Sequence, residues 1–393
     1  MYSTYDKTTK TKLQDYKRNN GKKIQWRMKK KYARRLAESY KRLALKIMSL
    51  RERFEKRAEK LCMCAGTLTY SPVIGGGKKL VNAYFCQLPL CPICMWRRSE
   101  KIHGQVYKVM NHLEESGKDF KYVFLTLTIK NMPGEKLNDA LNEMQEAWNR
   151  MVRRAAFKKM SRGFIRMLEV TYNYKDKEFH PHLHVIIAVD PKYLDEKEDY
   201  VLHREWLQMW RDSMRLDYDP WVRIQMVVKG RSKTKNEISF NGAVAELSKY
   251  TTKPDSIMPP WYDKKALAKF EKSDTGIKIE SKKHAEKLTD EIIRWLDPAL
   301  HKRQRIGWGG ELYKARKELK LEDIENSSLI DTDGQDKTGQ VDKSIKILFG
   351  FNPLYDDYVL YRIYKIMEDG EEVDLPLACY YEITMNSSAT GFT

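Results

Sequence analysis

The sequence has no apolar run of membrane-spanning length, and its mean hydropathy is −0.67. A helix that crosses a bilayer needs about 20 mostly apolar residues, so no membrane partner is expected. The opening stretch, MYSTYDKTTKTKLQDYKRNN, lacks the apolar core of a secretory signal, and a cytoplasmic location is the expectation. No G-x4-G-K-[ST] pattern occurs anywhere, and GGGKK at 75–79 does not supply one, so no ATPase is expected. Internal repeats are also missing. Histidine is scarce, with eight in 393 residues, and acidic residues are too few to balance the basic ones, 54 against 73.

The resulting net charge of +19 is unevenly spread: residues 1–60 hold 21 Lys+Arg against 6 Asp+Glu, or +15 of the total. That asymmetry points to a polyanionic partner, most simply nucleic acid. A solubilising tail is the bland alternative, but aromatic and aliphatic residues are interleaved with the basic ones here. Five of the six cysteines, Cys62, Cys64, Cys86, Cys91 and Cys94, crowd into about 30 residues, with Cys379 remote. This suits a metal knuckle in a reducing compartment better than a disulfide framework. Cys86, Cys91 and Cys94 form C-x4-C-x2-C, and Cys62 or Cys64 would supply a fourth thiolate for a structural Zn2+.

Residues 1–25 read as polar, and 28–61 as a basic helix with a heptad-like seam: Tyr32, Leu36, Tyr40, Leu43, Ile47, Leu50, Phe54 and Leu61. The seam permits a homodimer, although packing on its own domain is the stronger expectation. Strands are predicted at 122–129, 164–172, 182–189 and 221–228, and helices at 134–160, 203–215 and 242–253, the last stopped by Pro254. Mixed helices and hairpin-joined strands indicate an α+β fold, a central antiparallel sheet flanked by helices. The expected segments are a basic helical 1–61, a cysteine segment 62–98, a catalytic domain 99–320, a linker or mobile loop 321–345, and a small β-containing unit 346–393 with a disordered tail.

FHPHLHVIIAV, at 179–189, concentrates three of the scarce histidines. On a strand, residues two apart share a face with Cα atoms roughly 6.6 Å apart, close enough for two imidazoles to meet one ion. Three would span roughly 13 Å, so one pair must be chosen. Pro181 fits the start of a strand, which favours His182 and His184 over His180. Leu183, Val185, Ile187 and Val189 form the opposite, buried face. If the preceding strand pairs with this one, Glu169 adds a carboxylate. Two His and one carboxylate describe an open, catalytic cation site.

AELSKYTTK places Glu246 and Tyr250 at i and i+4 on one helix face, with Lys249 and Lys253 beside it. A tyrosine hydroxyl near a divalent cation can attack a phosphodiester, lysines can hold its charge, and a carboxylate can activate a second acceptor. Alone, the motif is weak, and an amphipathic helix packing Ala243, Leu247 and Tyr250 is the stronger reading of it.

Taken in order, YVFLTLTIKN, FHPHLHVIIAV and AELSKYTTKP resemble motifs one, two and three of the HUH endonucleases, in the spacing of plasmid rolling-circle replication initiators of the single-tyrosine branch. YFCQLPLCPICMWRRSEK resembles the cysteine-containing stretch upstream of motif one, and RIGWGGELYKARKEL adds a weaker likeness. The resemblance implies metal ligands His182, His184 and Glu169, a nucleophile Tyr250, Glu246 promoting hydrolysis at termination, and Lys253 in a less defined catalytic role. It implies Mg2+ or Mn2+ as the working ion, and it favours Cys64, over Cys62, beside Cys86, Cys91 and Cys94. Expected DNA contacts are Lys229, Arg231 and Lys233 of the loop KGRSKTKNE, with Lys249, Arg97, Arg98 and His180. Expected partners are plasmid origin DNA and a host helicase, polymerase and single-strand-binding protein. Two rival readings remain: a transposase or relaxase using the same chemistry, and a non-catalytic zinc-knuckle repressor.

Overall fold

The computed structural model describes residues 11–13, 25–74, 77–192, 203–248, 257–272, 277–332 and 340–380. Along the chain, α1 (Trp26–Lys46), α2 (Arg51–Met63), β1 (Thr67–Pro72) and β2 (Lys78–Ala83) lead into the long α3 (Pro92–Glu115). Next come β3 (Lys121–Thr128), α4 (Gly134–Met151), α5 (Ala155–Met160), β4 (Ser161–Asn173) and β5 (Glu178–Val189). They are followed by α6 (His203–Met214), β6 (Val222–Val228), β7 (Glu237–Ser239), α7 (Phe240–Leu247), α8 (Lys264–Lys272) and α9 (Lys282–Leu300). The last are β8 (Ile306–Gly309), α10 (Gly310–Glu318), β9 (Ile345–Asn352), β10 (Asp357–Ile366) and β11 (Glu372–Asp374). The fold is α+β, with largely antiparallel sheets flanked by helices.

Two compact units result, Met1–Arg97 with Ser328–Thr393, and Arg98–Ser327. In the first, β9 pairs antiparallel with β1, giving a sheet ordered β11-β10-β9-β1-β2. The segments 1–61, 62–98 and 346–393, separate in the sequence reading, thus contribute to one unit. The heptad seam does not run along one rod. A 3-10 turn at Met48–Leu50 folds α2 back on α1, and Tyr40 meets Phe54 with ring centroids 5.6 Å apart. Leu36, Tyr40, Leu43, Phe54 and Leu61 are buried in that hairpin, so these seam residues are covered by the chain itself.

The second unit is built on a six-stranded sheet ordered β7-β6-β3-β5-β4-β8, antiparallel except for β6 and β7. Helices cover both faces, which is why VIIAV reads as an unbroken apolar run. On one face Phe124, Ile165, Ile186 and Ala188 pack with Val106 of α3, Val244 and Leu247 of α7, and Leu312 of α10. On the other, Trp148 of α4 lies edge-on to Phe164 at 4.9 Å, beside buried Val185 and Ile187. The histidine-bearing face therefore continues into core and is not left to solvent. Gly310, at φ +61°, is fixed by crowding, because a Cβ there would lie 2.3 Å from the Arg162 carbonyl.

One expectation changes. The stretch 321–345 is not wholly a loose linker: Ile324, Leu329 and Thr332 are buried, and Arg305 is paired with Glu325 at 2.8 Å. Within the expected C-terminal β-containing unit, residues 377–380 form a helical turn, and 381–393, where the disordered tail is expected, lie outside the described residues.

Candidate metal centre and its cleft

β4 and β5 form a hairpin whose turn is held by Asn173, its side-chain oxygen accepting from the backbone N–H groups of Lys175 and Asp176. That turn sets the register, placing Glu169 opposite His182, Met167 opposite His184 and Thr171 opposite His180. The strand begins earlier than read, at Glu178, with Pro181 inside it. Proline is tolerated there because pairing with β3 ends at Thr128↔His182, so no ladder donor is lost beyond it.

The three expected ligands converge. Nε2 of His182 and Nε2 of His184 each lie 2.8 Å from Glu169 Oε2, and the three donor atoms sit within 4.8 Å of one another. Both rings are oriented from behind. His182 Nδ1 donates to the His180 carbonyl at 3.3 Å, and His184 Nδ1 meets the Thr126 hydroxyl at 3.3 Å. Such outer contacts fix which nitrogen faces an ion. Burial opposes charge on Glu169, yet the two histidines, each with Nε2 2.8 Å from the carboxylate, outweigh it and hold its carboxyl well below the usual carboxylate range. Burial also lowers His184 despite the pull of Glu169, which favours the neutral, ligating imidazole.

This cluster opens into a cleft of about 570 Å3. Across the sheet, β5–β3–β6 pairing aligns His184 with Thr126 and Arg223, and Phe124 with Gln225. The cleft floor is thus one face of three strands. Glu246, near the end of α7, lines the same cleft, and its charge acts on His184. Helix α7 starts from Ser239, whose side chain accepts from Gly242 N–H at 3.1 Å. Lys249, Tyr250 and Lys253 lie outside the described residues. His180 lines the cleft on the same face as His182, and burial lowers its pKa.

Lys229, Arg231 and Lys233 are exposed, with Lys229 paired to Glu114 and the Lys233 N–H donating to Glu237 at 2.6 Å. Arg97 and Arg98, expected at phosphates, are 1% and 5% exposed instead. Arg97 Nε donates to the Leu329 carbonyl at 2.8 Å, and Arg98 donates to the Glu325 carbonyl at 3.5 Å. Their guanidinium groups anchor main chain, which corrects the DNA-contact expectation for both.

In the first unit Cys64, Cys86, Cys91 and Cys94 are buried with their sulfurs within 4.8 Å of one another, whereas Cys62 is exposed. The Cys64–Cys94, Cys64–Cys91 and Cys86–Cys94 separations are 3.6, 3.6 and 3.7 Å. A tetrahedral ion with metal–sulfur bonds near 2.3 Å has edges of roughly 3.8 Å, so the donor set fits. Burial alone would keep Cys91 protonated, but hydrogen bonds from its three neighbours lower its pKa. Sequence reasoning missed Lys30, a buried ammonium donating to the Cys62 and Cys64 carbonyls at 2.7 and 2.6 Å. It also missed Thr126, Trp221 and Arg223 in the cleft, although period-two alternation in LTLTI and WVRIQ was available to mark them.

Among known proteins, residues 77–359 match the family described as Replication protein (Rep_1). A "Protein rep" of Streptococcus pneumoniae serotype 2 (strain D39 / NCTC 7466) is 31% identical over 343 residues, covering 87% of this chain and 93% of the relative. A "Protein rep" of Bacillus amyloliquefaciens is 32% identical over 355 residues, covering 86% and 95%. A "Replication protein" of Staphylococcus aureus is 34% identical over 240 residues, covering 61% and 91%. No solved structure matches the chain significantly. By the extent of these matches, the chain belongs to the Rep family of replication proteins.

Proposed function

We propose that the chain initiates rolling-circle replication of a plasmid by nicking one origin strand and later rejoining it. The observation that carries the reading is the convergence of Glu169, His182 and His184 in a cleft that Glu246 also lines. A divalent cation, Mg2+ or Mn2+, would be held by those three residues and would supply Lewis-acid polarisation of the scissile phosphate. The Tyr250 hydroxyl attacks phosphorus, forming a tyrosine–5′-phosphate bond as the bond to the 3′ oxygen breaks. The tyrosine proton passes to solvent, and the released 3′ oxygen takes up a proton to become the hydroxyl that primes synthesis. Glu246 acts as the base for the second transfer, which frees the tyrosine at termination. Lys249 and Lys253 offset phosphate charge, and Lys229, Arg231 and Lys233 contact the DNA backbone. Cys64, Cys86, Cys91 and Cys94 hold a structural Zn2+. The absence of a P-loop assigns unwinding to a host helicase, with host polymerase and single-strand-binding protein completing the reaction.

The test uses single-stranded oligonucleotides tiling the parent replicon's origin, incubated with Mn2+ and resolved on denaturing gels with mass spectrometry. A covalent adduct on Tyr250, lost with EDTA and in His182→Ala, is the expected result. Tight DNA binding without an adduct for any strand or metal would leave a non-catalytic DNA-binding protein as the better reading.

A further inference from the structure

Trp221 occupies an unusual place. It is 57% exposed, whereas Trp148, Trp206 and Trp210 of the same unit are fully buried. Its position is nevertheless fixed, because its carbonyl accepts from both the N–H and the hydroxyl of Thr128, at 3.2 and 2.9 Å. Thr128 is in turn paired with His182. Trp221 therefore stands two strands from the metal ligand, roughly 10 Å across the sheet. It lines the same cleft, as do Arg223 and Lys235. Arg223 follows at the next same-face position and is exposed, and its contact with the Lys235 carbonyl at 3.4 Å uses one of five N–H donors.

We infer that Trp221 is a stacking platform for one base of single-stranded DNA, a nucleotide close to the phosphate held at the Glu169–His182–His184 cluster. Arg223 takes the adjoining backbone phosphate. The inference rests on the nicking reading for its substrate, and it adds a positioning contact outside the metal ligands and Tyr250. A large aromatic ring beside basic donors matches the general means of holding an unpaired strand: a π face for the base and positive charge for the phosphate. Duplex DNA does not fit this description, because its base faces are already stacked. An apolar protein partner would call for neighbouring apolar side chains. Here Arg223, Gln225, Ser232, Thr234 and Lys235 line the cleft with the ring.

The experiment measures binding by fluorescence anisotropy, with full-length protein and the origin oligonucleotide that forms the wild-type adduct. A second set of oligonucleotides replaces one base at a time by an abasic sugar. Trp221→Ala should weaken binding roughly 5- to 150-fold, the range for one stacked base, and Trp221→Phe should restore most of it. One abasic position near the nick should cost the wild type a similar factor while costing Trp221→Ala less than about twofold, since the two changes remove the same contact. Unchanged affinity in Trp221→Ala would overturn the inference. So would equal abasic losses in both proteins at every position, or the same Trp221 dependence with intact duplex. Should the wild type form no adduct with any strand, the nicking reading fails on its own. The cycle is then run on the tightest-binding strand, where coupling still supports the stack and its loss still refutes it.

Discussion

Replacing Thr126 by valine should weaken divalent-cation binding at the Glu169–His182–His184 cluster without touching a ligand. The change keeps the β-branched shape suited to β3 and exchanges a hydroxyl for a methyl group. That hydroxyl faces His184 Nδ1 at 3.3 Å in a buried setting. It can accept from Nδ1–H, the tautomer that leaves the Nε2 lone pair for an ion. Outer-contact losses of this kind typically cost 10–100-fold in metal affinity, or about 1.4–2.7 kcal/mol. The independent cost of leaving a buried donor without a partner, roughly 1–3 kcal/mol, covers the same range. Calorimetric titration with Mn2+ measures the effect directly. Thr128→Val is the internal control, because the Thr128 hydroxyl donates to the Trp221 carbonyl instead of a histidine. Equal Mn2+ affinities for wild type and Thr126→Val would refute the reasoning, as would equal losses in the two threonine variants.

Further outcomes follow from the rest of the molecule. Native mass spectrometry should find one ion fewer in Cys91→Ser and no change in Cys62→Ser, because Cys91 is inside the four-sulfur cluster and Cys62 is exposed. Glu325→Ala should lower stability to urea by roughly 1–3 kcal/mol, since it removes a carboxylate that accepts from both the backbone N–H and the Nε of the largely buried Arg305. Lys78 carries a pH signature: burial pushes its pKa down to about 8, with its ammonium 5.0 Å from the Phe349 ring centroid and 3.1 Å from the Tyr380 hydroxyl. Between about 8 and its ordinary value near 10.4 the unfolded chain holds the proton that the folded chain has lost, so stability rises with pH across that window. In Lys78→Met that rise should flatten in pH-dependent thermal melts, and an unchanged slope would place its origin elsewhere.

What was legible in the sequence was local and periodic. The alternation in YVFLTLTI and HLHVIIAV gave strands and faces, and the hairpin between 164–172 and 182–189 followed from a short polar turn. Glu169 beside the histidine pair could be anticipated for that reason. Pairing across hundreds of residues could not. The β1–β9 ladder joins Tyr70 to Ile347, and nothing in either strand's pattern names its partner. Buried Ile324 and Leu329 escaped notice because they belong to apolar interruptions of one or two residues in a polar stretch. Arg97 and Arg98 were misassigned for a different reason. Charge is visible in a sequence, but whether a guanidinium meets phosphate or a carbonyl is decided by tertiary packing.

The two candidate ligand clusters differ in ways that suit them to different work. The four sulfurs are all buried, come from one unit within 4.8 Å of one another, and are backed by the Lys30 ammonium, which counters thiolate charge. Four protein donors leave no position for a substrate, which is the arrangement of an ion that holds structure. The Glu169–His182–His184 cluster has three donors, and its two histidines line a cleft that Glu246 and Arg223 also line. Three donors leave coordination positions for oxygen atoms from outside the protein. If both clusters bind ions, removing the first should unfold its unit. Removing the second should leave the six-stranded sheet standing, because helices on both faces, and not the ligands, carry that core. Chelation followed stepwise by far-ultraviolet circular dichroism separates the two. Loss of the second ion with coincident unfolding of the sheet would contradict an open, substrate-facing site.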